Sequence, residues 1–146
     1  MLVVDSGGQR DARGALLLAT RLNHVALVSR SETDSDRFFQ GVLGLEKTRS
    51  KTVDAELCSR LFDLERDYRL VYYGNADLQF EVFLSERRDF AGSHVGHVCL
   101  DVEDAEALVA RCREAGFKVR KAPRGESFVI FVEDGDGNLF EIKQKA

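Results

Sequence analysis

Apolar and polar residues alternate along Leu22–Ser29, with Val25 and Leu27 on one side and His24 and Ala26 on the other. A period of two is the mark of a strand with one covered face. The pattern changes at Ser31–Leu45, where Ser, Thr and Asp offer N-caps and Phe38, Phe39, Val42 and Leu43 recur at helical spacing. This predicts a helix that stops near Gly44. Strands are predicted at Leu45–Val53, Tyr68–Tyr73 and Leu78–Leu84, with a loop or short helical turn at Glu56–Arg66 and a tight turn at 74–77. The same order then returns. Val95–Val102 predicts a strand and Asp104–Ala115 a helix with Ala105, Leu108, Val109 and Cys112 on one face, closed by Gly116. Three strands follow, at Lys118–Ala122, Ser127–Glu133 and Leu139–Gln144.

Two units of strand, helix and three strands point to an internal repeat, and the residues agree. "HVAL" at His24–Leu27 matches "HVCL" at His97–Leu100, and "LQFEV" at Leu78–Val82 matches "LFEI" at Leu139–Ile142. Each unit therefore has a histidine in its first strand and a glutamate in its last. Strand parity puts His24 opposite Val25 and Leu27, His97 opposite Val98 and Leu100, Glu81 opposite Phe80 and Val82, and Glu141 opposite Phe140 and Ile142. The helices are expected to cover the apolar faces. All four candidates then lie on the faces the helices leave open.

Taken singly, a histidine in an apolar strand is ordinarily a core residue, and a glutamate on a strand's outer face is ordinarily solvated. The repeat changes that weighing. If the open faces line a concavity, ionised carboxylates there are costly unless a cation neutralises them. Two imidazoles and two carboxylates form a mixed nitrogen and oxygen donor set suited to Ni²⁺, Co²⁺, Zn²⁺, Mn²⁺ or Fe²⁺ rather than Ca²⁺.

Composition narrows the partners. The chain has 146 residues, enough for one domain, and a formal net charge of −4 with no long basic block, so nucleic acid and membrane surfaces are not expected partners. Cys58, Cys99 and Cys112 are odd in number and lack a Cys-x-x-Cys pair, which fits core thiols in a reducing, cytoplasmic compartment. Residues 1–21 hold no basic cluster and only a short apolar run, and are expected to form a loose extension. The 134–138 stretch, Asp-Gly-Asp-Gly-Asn, is a turn rather than a calcium loop, because the sixth and twelfth places hold Leu139 and Lys145.

The stretches "LNHVALVSR…DRFFQGVLGLE", "ADLQFEVFL", "VGHVCLDVED" and "FVEDGDGNLFEIKQ" together resemble the vicinal oxygen chelate superfamily. That superfamily includes glyoxalase I, methylmalonyl-CoA epimerase, extradiol dioxygenases and the fosfomycin and bleomycin resistance proteins. The resemblance runs from Leu22 to Gln144. It implies an α+β, glyoxalase-like fold in which two paired βαβββ modules, 22–90 and 95–146, form a curved sheet around a cleft. It also implies that His24, Glu81, His97 and Glu141 ligate one divalent metal per site, with Ni, Co, Zn or Mn ahead of Fe.

A fourth protein ligand favours proton transfer beside a polarised carbonyl over oxygen activation. The resemblance thus implies a glyoxalase I-like lyase or isomerase acting on a small-molecule substrate, with Glu141 as base, Glu81 as its partner, and a homodimer. Where bacterial glyoxalase I proteins carry an arginine and an asparagine, four residues after the first histidine and first glutamate, this chain has Val28 and Ser85. Glutathione is therefore not implied as substrate. The alternatives are an antibiotic-binding or resistance protein of the same fold, an acyl-CoA epimerase, and a structural domain in which the four residues pair in intramolecular salt bridges and hold no metal. Arg30, Arg87, Arg88, Lys121 and Arg124 are candidates for holding an anionic substrate, and Ala122–Ser127 is a candidate loop over the cleft.

Overall fold

The computed structural model describes residues 12–14, 22–86 and 97–146. Most of the N-terminal extension, together with Arg87, Arg88 and the predicted strand start at Val95, lies outside the described residues. In the first module β1 (Val25–Ser29) leads into α1 (Glu32–Ser35), then β2 (Glu46–Val53), α2 (Ala55–Phe62), β3 (Tyr68–Gly74) and β4 (Gln79–Leu84). The second has β5 (His97–Val102), α3 (Ala105–Glu114), β6 (Val119–Arg124), β7 (Ser127–Glu133) and β8 (Leu139–Gln144). Each module folds its strands into a four-stranded sheet, ordered β1-β4-β3-β2 and β5-β8-β7-β6. In both, the first strand runs parallel to the last and the other pairs are antiparallel. This is the α+β architecture of paired βαβββ modules that the repeat predicts.

Ser31 caps α1 by accepting from the Asp34 amide at 3.1 Å, but after one turn the helix widens into a π-helix over Asp36–Val42. The Leu43 amide reaches back five residues to the Phe38 carbonyl at 3.0 Å. Adjacent residues Phe38 and Phe39 are both fully buried there. Phe38 meets Phe117, Phe39 stacks on Tyr73, and both meet Phe140. The second module's helix, α3, is a plain α-helix, with Asp104 accepting from the Ala107 amide at 2.9 Å and Gly116 at φ 81° taking the left-handed turn that ends it.

One apolar core joins the modules. Phe38, Phe39, Val71, Tyr73, Phe80 and Val82 from the first pack with Leu108, Cys112, Phe117, Val132, Phe140 and Ile142 from the second. Polar ties cross the same seam. Arg111 donates to the Val42 carbonyl at 3.2 Å, Arg37 to that of Ala115, and the Asn138 side chain to that of Val28 at 2.9 Å. Arg30, proposed from sequence as an anion ligand, instead donates its backbone amide and Nε to Asp136 at 2.9 and 3.1 Å. It therefore serves this junction.

Three further expectations are corrected. The stretch after Asp54 is a helix: Asp54 accepts from the Leu57 amide at 2.9 Å, Asp67 accepts from the Ala55 amide at 2.7 Å, and Asp63 closes the end at φ 57°. Ala122–Ser127 is no cleft-covering loop, since β6 and β7 pair up to Arg124 opposite Ser127 across a turn at Gly125-Glu126. Pro123 fits in β6 because that strand is the sheet's edge, where a missing N–H leaves no pairing strand unsatisfied. Of the three thiols, Cys58 and Cys112 are buried as expected, but Cys99 is exposed.

Candidate metal centre

Burial along the first strands follows the parity read from sequence. In β5 the pattern alternates, with His97, Cys99 and Asp101 exposed and Val98, Leu100 and Val102 partly buried against the core. In β4 the core takes Phe80 and Val82, and Glu81 points to the other face. All four predicted ligands thus lie on the sheet faces turned away from the shared core.

They meet in two pairs. His24 Nε2 lies 3.2 Å from Glu81 Oε2, and His97 Nε2 lies 3.3 Å from Glu141 Oε2. The parallel pairing of first and last strand makes this possible: Ala26 is opposite Glu81, and Cys99 is opposite Glu141, so each histidine stands one same-face position before its glutamate's partner. Among the described residues no three or more His, Cys, Asp or Glu side chains gather closely enough to hold a metal ion. The structure therefore brings His24 to Glu81 and His97 to Glu141, and does not bring the two pairs together within one chain.

Each pair fits half of a metal's coordination shell. Two ligand atoms at about 2.1 Å from one ion stand roughly 3.0 to 3.4 Å apart in octahedral or tetrahedral geometry, and both pairs fall in that interval. His24 Nδ1 lies 2.7 Å from Asn23 Oδ1, a contact that turns the ring so that Nε2 faces the Glu81 carboxylate. Either a cation or a proton between that nitrogen and the oxygen is favourable, so the contact serves an ion pair as well as a metal. The donor set, imidazole nitrogen with carboxylate oxygen, suits first-row divalent ions. The second imidazole is further positioned by the Phe131 ring, edge-on with centroids 5.0 Å apart.

The register reveals a finer repeat that the sequence motifs did not show. Across the first sheet, Ala26, Glu81, Tyr72 and Arg49 stand side by side. Across the second, Cys99, Glu141, Phe131 and Arg120 take the same places. Tyr72, Arg49 and Phe131 were missed because strand order cannot be read from a single strand's alternation. The first row is also walled by α2, whose Cys58 packs on the site-side face with Tyr68, Leu70, Tyr72 and Phe83. Leu57, Leu61 and Phe62 of that helix remain exposed. The second module has no such helix. Ser85, at one of the two places noted above, is buried and accepts from Arg66 Nη2 at 2.7 Å. Val28, at the other, is half-buried against the cluster under α2.

The fold is a duplicated βαβββ unit with a His–Glu pair on each sheet. The chain belongs to the Glyoxalase/Bleomycin resistance protein/Dioxygenase superfamily, whose family pattern matches residues 21–142. No curated protein matches the sequence. Among solved structures, a glyoxalase family protein from Bacillus cereus is similar at 18% identity and TM-score 0.68, covering 92% of this chain and 97% of that one. The genomically encoded fosfomycin resistance protein FosX from Listeria monocytogenes, solved with Mn(II) and sulfate, is similar at 18% identity and TM-score 0.61, over 88% and 95%. The trypanothione-dependent glyoxalase I of Leishmania major is similar at 22% identity and TM-score 0.62, over 86% and 87%. At these identities the likeness concerns the fold.

Proposed function

We propose that this protein is a cytoplasmic, homodimeric, metal-dependent lyase or isomerase of the glyoxalase I kind, moving a proton on a small oxygen-bearing substrate. The observation that supports it best is the pair of matched His–Glu contacts at 3.2 and 3.3 Å on equivalent strands of the two sheets. His24, Glu81, His97 and Glu141 would hold one divalent ion, which when bound supplies Lewis-acid polarisation of a substrate oxygen.

Glu141 is the base in this reading. Its oxygen would take the proton from the hydroxyl-bearing carbon adjacent to the polarised carbonyl and return it to the former carbonyl carbon, while the hydroxyl proton passes to the other oxygen, so that carbonyl and hydroxyl exchange places. Its carboxylate lies 3.3 Å from His97 Nε2 and opposite Cys99 on the neighbouring strand. Glu81 is its partner on the first sheet. Because one chain presents only two-ligand halves, the complete site needs a second copy, with the first pair of one subunit facing the second pair of the other. A two-fold axis generates two such sites together.

The experiment is metal stoichiometry by plasma mass spectrometry after stripping and reconstitution with Ni²⁺, Co²⁺, Zn²⁺ or Mn²⁺. About one ion per chain is expected, lost in folded His97→Ala and Glu141→Ala variants. Turnover of a hemithioacetal, with substrate hydrogen exchanging in deuterium oxide, would then support the narrow assignment. Exchange on an acyl-CoA would favour an epimerase, and tight antibiotic binding without exchange a resistance protein. An intact protein that holds no metal overturns the proposal.

A further inference from the structure

The row that carries Glu81 runs outward to two cations without a carboxylate partner. Arg49 lies across from Tyr72, its guanidinium 4.2 Å from the ring centroid, and Lys51 extends over the same ring at 5.6 Å. Among the described residues neither makes an ion pair. The corresponding place in the second module behaves differently, since Arg120 and Lys118 both approach Glu133 at 3.7 Å. The repeat alone therefore does not call for an open positive charge at Arg49. Many other cations of this acidic chain are neutralised, among them Arg30, Arg37, Lys47, Arg60, Arg69 and Lys145.

A second observation lies beneath these cations. Tyr72 is fully buried, and its hydroxyl has no hydrogen-bond partner among the described residues. An orphaned buried hydroxyl is costly, and such groups ordinarily find a partner or await one. A guanidinium stacked on an aromatic ring keeps its edge N–H groups free, and that edge is the fork that binds an oxyanion in two-point fashion.

We propose that Arg49, Lys51 and Tyr72 form an oxyanion subsite, so that the substrate is a small anion. Its anionic group sits two strand spacings from Glu81, about 10 Å across the sheet, while its reacting oxygen lies at His24 and Glu81. The inference rests on the cleft being the substrate site, as read above. The ligand chemistry is an oxyanion, carboxylate or phosphate.

The test is a proton–nitrogen NMR titration of the full-length protein with inorganic phosphate and, separately, acetate at constant ionic strength. Saturable shifts centred on the Arg49 side chain are expected, and the tighter of the two anions identifies the group. Affinity should fall at least tenfold in Arg49→Gln and several-fold in Lys51→Gln and Tyr72→Phe, recover partly in Arg49→Lys, and stay unchanged in Lys145→Gln, whose ammonium is held by Glu103. Absence of saturable binding by either anion, or equal affinity in wild type and Arg49→Gln, overturns the inference. Metal stoichiometry on the same samples separates the two readings. Anion binding in a protein that holds no metal removes the metalloenzyme and leaves the subsite, whereas metal without anion binding does the reverse.

Discussion

Asp134 opens the turn between β7 and β8 and is the most buried carboxylate of the described residues. Its Oδ1 accepts from the backbone amides of Asp136 and Asn138, both at 2.9 Å, and its Oδ2 accepts from the Asn138 side chain at 2.7 Å. Those bonds favour the charged form, but burial outweighs them and pushes the group up from 3.8 to about 6. The native state therefore binds this proton more tightly than the unfolded chain does. Its contribution to stability is full below about pH 3.8 and is lost as pH rises through about 6. Urea unfolding of wild type and Asp134→Asn at several pH values should show it. The stability difference between them should move against wild type by at most about 1.4 kcal/mol per pH unit across that window; parallel curves would show that the carboxylate does not titrate there. Because Asn138 also holds the Val28 carbonyl and Asp136 holds Arg30, this turn fixes the end of β1 next to the His24 strand.

At the level of elements, all eight strands of the described residues and α3 fall where the sequence predicts them, and β5 shows the reason most plainly because its burial follows a single period. Alternation along Gln79–Leu84 places Glu81 on the open face, since a strand has only two faces. The helix α2 was left open between a loop and a short helical turn although its signals were present: Asp54 before the first turn, then Leu57, Cys58, Leu61 and Phe62 at helical spacing. Eight residues are too few to separate a helix from a loop by period alone. The widened turn after α1 was not legible either, because it answers to the burial of two neighbouring phenylalanines by different modules. The caps of α2 offer a direct check on its role. Asp54→Ala should cost about 1 kcal/mol by loss of the Leu57 amide bond. Asp63→Gly should gain a few tenths of that by relieving the left-handed backbone at Asp63. Thermal unfolding reads both, and neither change should alter metal binding.

At the scale of the whole molecule, both modules place the helix that follows their first strand in one core, while α2 and Tyr72 lie in a second cluster, and both turn their His–Glu pairs away from the shared core. One chain therefore presents two separate His–Glu pairs, an arrangement no single-strand pattern could disclose. The sequence singles out the four residues as candidates, and the proposed metal site requires that sheets of two chains bring the pairs together. Complementation decides it. Co-expressing a His24→Ala/Glu81→Ala chain with a His97→Ala/Glu141→Ala chain, each tagged, and purifying the mixed dimer isolates one outcome. If each site joins the first pair of one subunit to the second pair of the other, the mixed dimer contains one intact site and one with no ligands. It should then hold about one ion per dimer, half the wild-type amount, while each mutant homodimer holds none. If all four ligands came from a single chain, both sites of the mixed dimer would be half-stripped and the ion would be lost altogether. Half occupancy would tie function to assembly, because a site divided between copies cannot exist in the monomer, and metal content would then fall with dilution along with the dimer.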